Sequence, residues 1–478
     1  MRNQCQLITY PDSLGKNLKE LRYIADRYLQ RVIAGIHILP FYPSSADRGF
    51  APLTYFTVDP VFGNWEDIED LGDKYDLIVD FMINHISRES EYFKNFIKNK
   101  NNSDYADLFI RYKDFWPDNR PTEQDIKMIY KRKPLAPYVT IEFNDGTRED
   151  IWCTFDKHQI DLNLKSKKTR LLLADFLHFL CSRNIKTIRL DAIGYVTKNP
   201  GTSCFFIEPD IWEVLDFVKK ITDSYKIELL PEVHEHYSLQ LKLAEKGYRV
   251  YDFALPMLVL HAIYENNARF LKKWLTICPE KQITTLDTHD GIGLVDIIDL
   301  LPENEIKKTR QNLFSKGVNV KPIYNTKKYQ NLDIYQINSS YYSALGNNDE
   351  AYLIARAIQF YTPGIPQVYY VGLLAGKNDL KLLEETKIGR NINRHYYSLD
   401  EVKEEVTRPV VKKLFELMRF RNNYPAFNGN FSILPAKTHE LQIEWKKGEL
   451  KTTLKVDLKL MQMEIDYVDQ VTGKSFLL

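Results

Sequence analysis

The chain has 478 residues, 44% of them hydrophobic, and its 27% of charged residues nearly cancel to a net charge of +1. That length fits several domains or one large barrel with insertions, and the apolar content is ample for a core. The balanced charge argues against a nucleic-acid surface and against a polybasic membrane patch. No run approaches the roughly 18–20 apolar residues of a membrane span, and the start, MRNQCQLITYPDS, has no apolar stretch of the signal-peptide kind. Cys5, Cys153, Cys181, Cys204 and Cys278 are odd in number, scattered and without CxxC spacing. They read as free thiols in a reducing cytoplasm, not as a disulfide framework or a zinc site. Thirty tyrosines and twenty-five phenylalanines serve core packing first. Their second use would be to line a sugar site, since sugar rings present apolar C–H faces.

In chain order, short apolar runs end in polar residues. They are QLITY (Gln6–Tyr10), GIHILP (Gly35–Pro40), LIVDFMINH (Leu77–His85), KTIRLD (Lys186–Asp191), IELLPEVH (Ile227–His234), the weaker YRVYDFALP (Tyr248–Pro256), QITTLDTHD (Gln282–Asp290) and PQVYYVG (Pro366–Gly372). Continuous apolar runs are how strands buried on both faces read. Helical patterns alternate with them, as in Leu14–Gln30, Thr169–Arg183 and Ile211–Ser224. Strand alternating with helix implies a parallel sheet. The expected fold class is α/β, a (β/α)8 TIM barrel, with an open doubly wound sheet as the alternative. No GxGxxG follows the first strand, which argues against a dinucleotide site.

Two gaps break the rhythm, and each is too long for a structureless loop. They predict inserted domains at 87–166, after the third strand, and at 291–351, after the seventh. The barrel then occupies 1–86, 167–290 and 352–428. From 429 to 478 the pattern alternates and carries a KKGE turn, predicting a small antiparallel β domain.

In parallel barrels, reactive groups sit at the C-terminal ends of strands. Those positions hold Tyr10, Asn84 and His85, Asp191, Glu232 with His234 and His236, and His289 with Asp290; Asp47 lies in the loop after the second strand. One acid there is ordinarily a helix cap. Three, at Asp191, Glu232 and Asp290, point to chemistry. Crowded carboxylates split their pKa values, so one serves as acid and another as nucleophile. A retaining glycosidic cleavage uses such a pair roughly 5–5.5 Å apart. Arg189 and Asp191 are two apart, so in a strand they share a face. Arg189 would then hold a carboxylate ionised, unless the pair is purely structural. The histidines of HEHY, with His85 and His289, admit a metal reading; the alternative is that His85 and His289 donate to sugar hydroxyls.

DFMINHIS, TIRLDAIGY, LLPEVHEHY and TTLDTHDGIG resemble the four conserved regions of the α-amylase family of retaining α-glucoside enzymes, glycoside hydrolase family 13. Segments such as GIHILPFYPSSADRGFAPLTYFTVDPVFGNW, NRPTEQDIKMIYKRK, NLDIYQINSSYYSALG and GRNINRHYY narrow the resemblance to the family's sucrose-cleaving phosphorylases. It runs along nearly the whole chain and weakens in the last fifty or so residues.

The resemblance implies a reversible reaction of sucrose and phosphate to α-D-glucose 1-phosphate and D-fructose, through a β-glucosyl ester. Asp191 would be the nucleophile, Glu232 the acid and then base, and Asp290 the transition-state stabiliser. Asp47 and Arg394 would clamp the far glucose hydroxyls, and His85 and His289 would complete that subsite. Phe50 and Phe155 would form an apolar wall. Tyr195, Gln159, Leu332, Asp333 and Gln336 match positions around the second subsite. Lys133, Tyr335 and His234 would meet the phosphate. A loop at Asn331–Gln336 would swing between offering Asp333 to fructose and Tyr335 to phosphate.

No cofactor and no metal are implied, inorganic phosphate being a substrate; the partners are small sugars, not nucleic acid or membrane, and a homodimer stays open. Three alternatives remain. One is a phosphorylase of glucosylglycerol, glucosylglycerate or sucrose 6′-phosphate. Another is a sucrose hydrolase or transglucosylase. The third is a non-catalytic binding barrel, against which stand the three retained acids.

Overall fold

The computed structural model describes residues 1–131, 136–316 and 336–468, and the strand Ser475–Leu477. Eight parallel strands alternate with helices along the chain. They are β1 (Gln6–Thr9), β2 (Gly35–Ile38), β3 (Asp76–Met82), β4 (Thr187–Asp191), β5 (Glu228–Pro231), β6 (Val250–Asp252), β7 (Gln282–Thr284) and β8 (Ile365–Tyr369). β1, β2, β6, β7 and β8 are buried at every residue, as their continuous apolar runs require.

The chain divides into two compact units. The first holds Met1–Lys16, Glu20–His37 and His234–Leu478, and the second Asn17–Lys19 and Ile38–Val233. In the first unit the strand order is β6–β7–β8–β1–β2. The last strand therefore pairs with the first, Gln6 opposite Gln367 and Ile8 opposite Tyr369. That last-to-first pairing is the one a (β/α)8 barrel makes, and it argues against the open doubly wound alternative, in which those strands are not neighbours. In the second unit β3 pairs with β4 and β4 with β5, setting Asp80 opposite Arg189 and Met82 opposite Asp191.

Three details differ from the sequence reading. β3 stops at Met82, and His85 opens a separate strand, His85–Ser87, antiparallel to Gln159–Asp161. The sixth run, Tyr248–Pro256, contributes only three strand residues; its end enters the helix Leu255–Glu265, where Pro256 sits in the first turn and costs no hydrogen bond. The helix Asp349–Tyr361, capped by the Asn348 side chain on Ala351 N, begins before the expected boundary at 351.

The hairpin Tyr138–Glu142/Arg148–Trp152 of segment 87–166 contributes Trp152 to a buried hydrophobic cluster with Tyr112, Trp116, Ile129 and, from beyond the segment, Cys204. Within 291–351, Ile292–Gly293 pairs antiparallel with Gln336–Ile337. From Asn430 on, antiparallel strands follow in sequential order, and Glu440–Lys447 alternates in burial over its first six residues. Its hairpin turns at Gly448, φ +60°, a left-handed position that glycine adopts without penalty.

Candidate active site

In the second unit the C-terminal ends of β4 and β5 carry the acids. Arg189 and Asp191 share a face of β4, and Arg189 Nη1 donates to Asp191 Oδ1 at 2.9 Å. The same nitrogen donates to Asp80 Oδ1 on β3, and Nη2 lies 3.7 Å from Glu232 Oε1. One guanidinium thus serves three carboxylates. Side-chain exposure sorts them: Arg189 is 3% exposed and Asp80 0%, but Asp191 is 14% and Glu232 12%. Asp80 supplies the buried counter-charge that lets a guanidinium sit inside a barrel. The outer two acids are the ones that keep exposed surface at the strand ends.

Ala192, directly after Asp191, takes the left-handed conformation at φ +54°, a strained choice for a residue with a Cβ. The turn points its N–H at Glu232 Oε2, 3.1 Å away. The backbone after the expected nucleophile therefore fixes the expected acid.

Phe50, His85, Phe155, Gln159 and Tyr195 come together in the same unit. His85 Nε2 donates to the Phe50 carbonyl at 2.9 Å, which fixes that tautomer, and Gln159 Nε2 donates to the same carbonyl at 2.8 Å. Phe155 packs edge-on against His85 and Tyr195, with ring centroids 5.5 and 5.0 Å apart. Phe155 is the half-exposed member of the five, which suits an apolar wall. Beneath His85, the buried ammonium of Lys198 meets Asp161 Oδ2 at 2.8 Å, Asn84 Oδ1 at 3.0 Å and the Tyr195 carbonyl. Burial pushes the Asp161 carboxyl up, but Lys198 and Thr154 outweigh it and hold it below the usual range.

The first unit carries the other candidates. Arg394, buried, donates through Nε to the His289 carbonyl at 3.1 Å and lies over the Tyr10 ring at 5.6 Å. Tyr10 and His289 pack edge-on at 6.0 Å. Asp290 Oδ1 is 3.1 Å from Arg390 Nη1, and its Oδ2 is 3.5 Å from His289 Nε2. The loop is anchored below by Asp287, whose two oxygens accept from Arg356 Nη2 at 2.8 Å each; burial pushes the Asp287 carboxyl up against the pull of that arginine.

His234 stacks on Phe253 at 3.8 Å, with Nδ1 3.6 Å from Asp296 Oδ2. Burial raises the Asp296 carboxyl against the pull of His234. His236 instead caps the helix Tyr237–Glu245 and meets Asp299. The two histidines of HEHY therefore have separate partners. Elsewhere His439, Glu440 and Asp457 bring ligand atoms within 4.8 Å of one another, and Lys437 Nζ already lies 3.2 Å from Glu440.

Gln336 is half-buried on its short strand. Asp47 sits on the turn Asp47–Gly49, but its side chain lies outside the described residues. So do Lys133, Leu332, Asp333 and Tyr335, and with them the expected loop swing. Sequence reading missed Asp80, Lys198, Asp287 and Arg390. The signal for Asp80 was present: a charge inside LIVDFMINH. Arg390 stands four residues before Arg394 in GRNINRHYY.

The alpha-amylase catalytic-domain model matches residues 9–290, and the chain belongs to that family. A sucrose phosphorylase of Streptococcus mutans serotype c is 50% identical over 96% of this chain and 96% of its own. A glucosylglycerol phosphorylase of Marinobacter adhaerens is 44% identical over 99% and 98%. The crystal structure of sucrose 6F-phosphate phosphorylase from Thermoanaerobacter thermosaccharolyticum superimposes with a TM-score of 0.95 at 45% identity, covering 100% of this chain and 98% of that one. Within the family, the chain is an enzyme of the glycosyl phosphorylase type, a (β/α)8 barrel with a C-terminal β domain. Among the described residues, no helix is long and apolar enough to cross a membrane.

Proposed function

We propose that the enzyme converts sucrose and phosphate reversibly to α-D-glucose 1-phosphate and fructose by double displacement. The identity of 50% to a sucrose phosphorylase over nearly the whole chain carries the choice of donor. The grip of Arg189 on Asp191, with Glu232 beside it, supports the mechanism.

Asp191 attacks C1 of the glucosyl unit while Glu232 gives its proton to the departing fructosyl oxygen. Phosphate then attacks C1 from the face that fructose left, releasing Asp191, and Glu232 takes back a proton. Two inversions give retention. Asp290 is assigned to the glucosyl hydroxyls, with His85, His289, Arg394 and Asp47. Phe50 and Phe155 are assigned to the apolar wall, and Tyr195, Gln159, Gln336, Leu332 and Asp333 to the fructosyl side. His234, Lys133 and Tyr335 are assigned to phosphate. No step needs a metal, so activity should survive chelation. Cysteines that are all free, four of them buried, support a reducing, cytoplasmic setting.

A second reading is a sucrose 6′-phosphate phosphorylase, favoured by the structural neighbour at TM-score 0.95. Side-by-side phosphorolysis of sucrose, sucrose 6′-phosphate, glucosylglycerol and glucosylglycerate, read as α-glucose 1-phosphate, decides. Sucrose should give the highest kcat/KM; a tenfold preference for another donor would replace it. Glucose release without phosphate dependence would mark a hydrolase.

A further inference from the structure

The segment Gly389–Arg394 grips the loop after β7 at three successive residues. Asn393 Nδ2 donates to the Thr288 carbonyl at 3.2 Å, and Arg394 Nε donates to the His289 carbonyl at 3.1 Å. Arg390 Nη1 meets Asp290 not at the backbone but at Oδ1, 3.1 Å away. The first two contacts shape the loop. The third acts on a carboxylate whose other oxygen lies 3.5 Å from His289 Nε2. Asp290 is held at both oxygens, between a neighbour on its own loop and a side chain from another segment.

The Arg390 side chain is 37% exposed and that of Asp290 12%. An ion pair this open adds little to stability, so its place in the fold calls for another explanation. A carboxylate that hydrogen-bonds hydroxyls as charge develops at C1 must be aimed before the reaction begins. Misplacement by about 1 Å can cost on the order of a hundredfold in rate. An aspartate with one free oxygen turns about its own side-chain torsion. A planar guanidinium on Oδ1 restricts that turn, and an ammonium, which is a point charge, does so less well.

We propose that Arg390 is a positioning residue for glucosyl transfer, fixing the orientation of the Asp290 carboxylate. This rests on the reading of Asp290 as the group that meets the glucosyl hydroxyls. Arg390 itself touches neither the donor nor phosphate in this role.

The test uses α-glucosyl fluoride with phosphate, a donor that needs the glucosyl pocket whatever the natural leaving group. kcat and KM are measured for the wild type, Arg390→Lys, Arg390→Met, Asp290→Asn and the double variant Arg390→Met/Asp290→Asn. Arg390→Met should lower kcat at least about tenfold with KM within about threefold and the melting temperature nearly unchanged; Arg390→Lys should recover part of the rate. In the Asp290→Asn background, Arg390→Met should cost less than about twofold more, because the group it positions is already impaired. The proposal is overturned if Arg390→Met keeps or raises kcat, if the loss lies in KM alone, or if it is equally large in both backgrounds. Wild-type rates in Asp290→Asn would sink the reading of Asp290 itself. An enzyme that turns over the fluoride but not sucrose would sink only the choice of donor.

Discussion

Asp80 and Asp191 share one nitrogen of Arg189, the first from β3 and wholly buried, the second from the tip of β4 and reaching solvent. The strand register sets this up, because Asp80 lies directly opposite Arg189 while Asp191 lies two residues further along the same face. The inner acid balances the charge that the outer acid uses.

Replacing Asp80 by asparagine keeps its size and removes the counter-charge. Breaking a buried ion pair by removing one partner costs about 3–5 kcal/mol. Asp80→Asn should lose stability on that order in urea unfolding and lose at least about tenfold in kcat, because Arg189 is no longer held. A variant as stable and as active as the wild type would show Asp80 to be a bystander.

A second buried pair supports the sugar-side cluster. Lys198 is held by Asp161, Asn84 and the Tyr195 carbonyl. Lys198→Met should destabilise by a similar about 3–5 kcal/mol and raise KM for the donor, since Asn84 and Tyr195 both rest on that ammonium. The Asp161 carboxyl is held below its ordinary value. Its stabilising contribution is therefore full above about pH 4 and lost as pH falls through the folded value. Acid unfolding of Asp161→Asn should lack this component; an unchanged acid limb would count against the assignment.

The opposite sign holds at Asp252, the last residue of β6. Burial pushes this carboxyl up to about 7, against donors from Trp274 Nε1 and Leu255 N. The folded state then binds a proton that the unfolded state has released, so this group's contribution to stability falls as pH rises from about 4 towards 7. Asp252→Asn should flatten that slope in denaturation series between about pH 4 and 7. The same slope in both proteins would mean that Asp252 stays ionised.

All eight barrel strands were legible because strands buried on two faces must be apolar throughout, a local property. The antiparallel C-terminal sheet was legible from its alternation. The break between Met82 and His85 was not, since it depends on pairing with Gln159–Asp161, far along the chain. The candidate acids stood out as polar residues ending apolar runs. Their supports did not. Asp80 and Lys198 look like scattered charges until register and packing bring Arg189 and Asp161 to them. Arg390 was overshadowed by Arg394, and only the structure separates an arginine that holds backbone from one that holds a carboxylate.

On the proposed mechanism the glucosyl unit is carried on Asp191. Glu232→Gln incubated with α-glucosyl fluoride should load the enzyme and unload slowly, because the fluoride leaves without an acid while the base for the second step is missing. Peptide mass spectrometry of the quenched protein should find one glucosyl unit on the peptide containing Asp191. A glucosyl unit on another residue, or turnover with no covalent species at any time, would rule out Asp191 as the nucleophile.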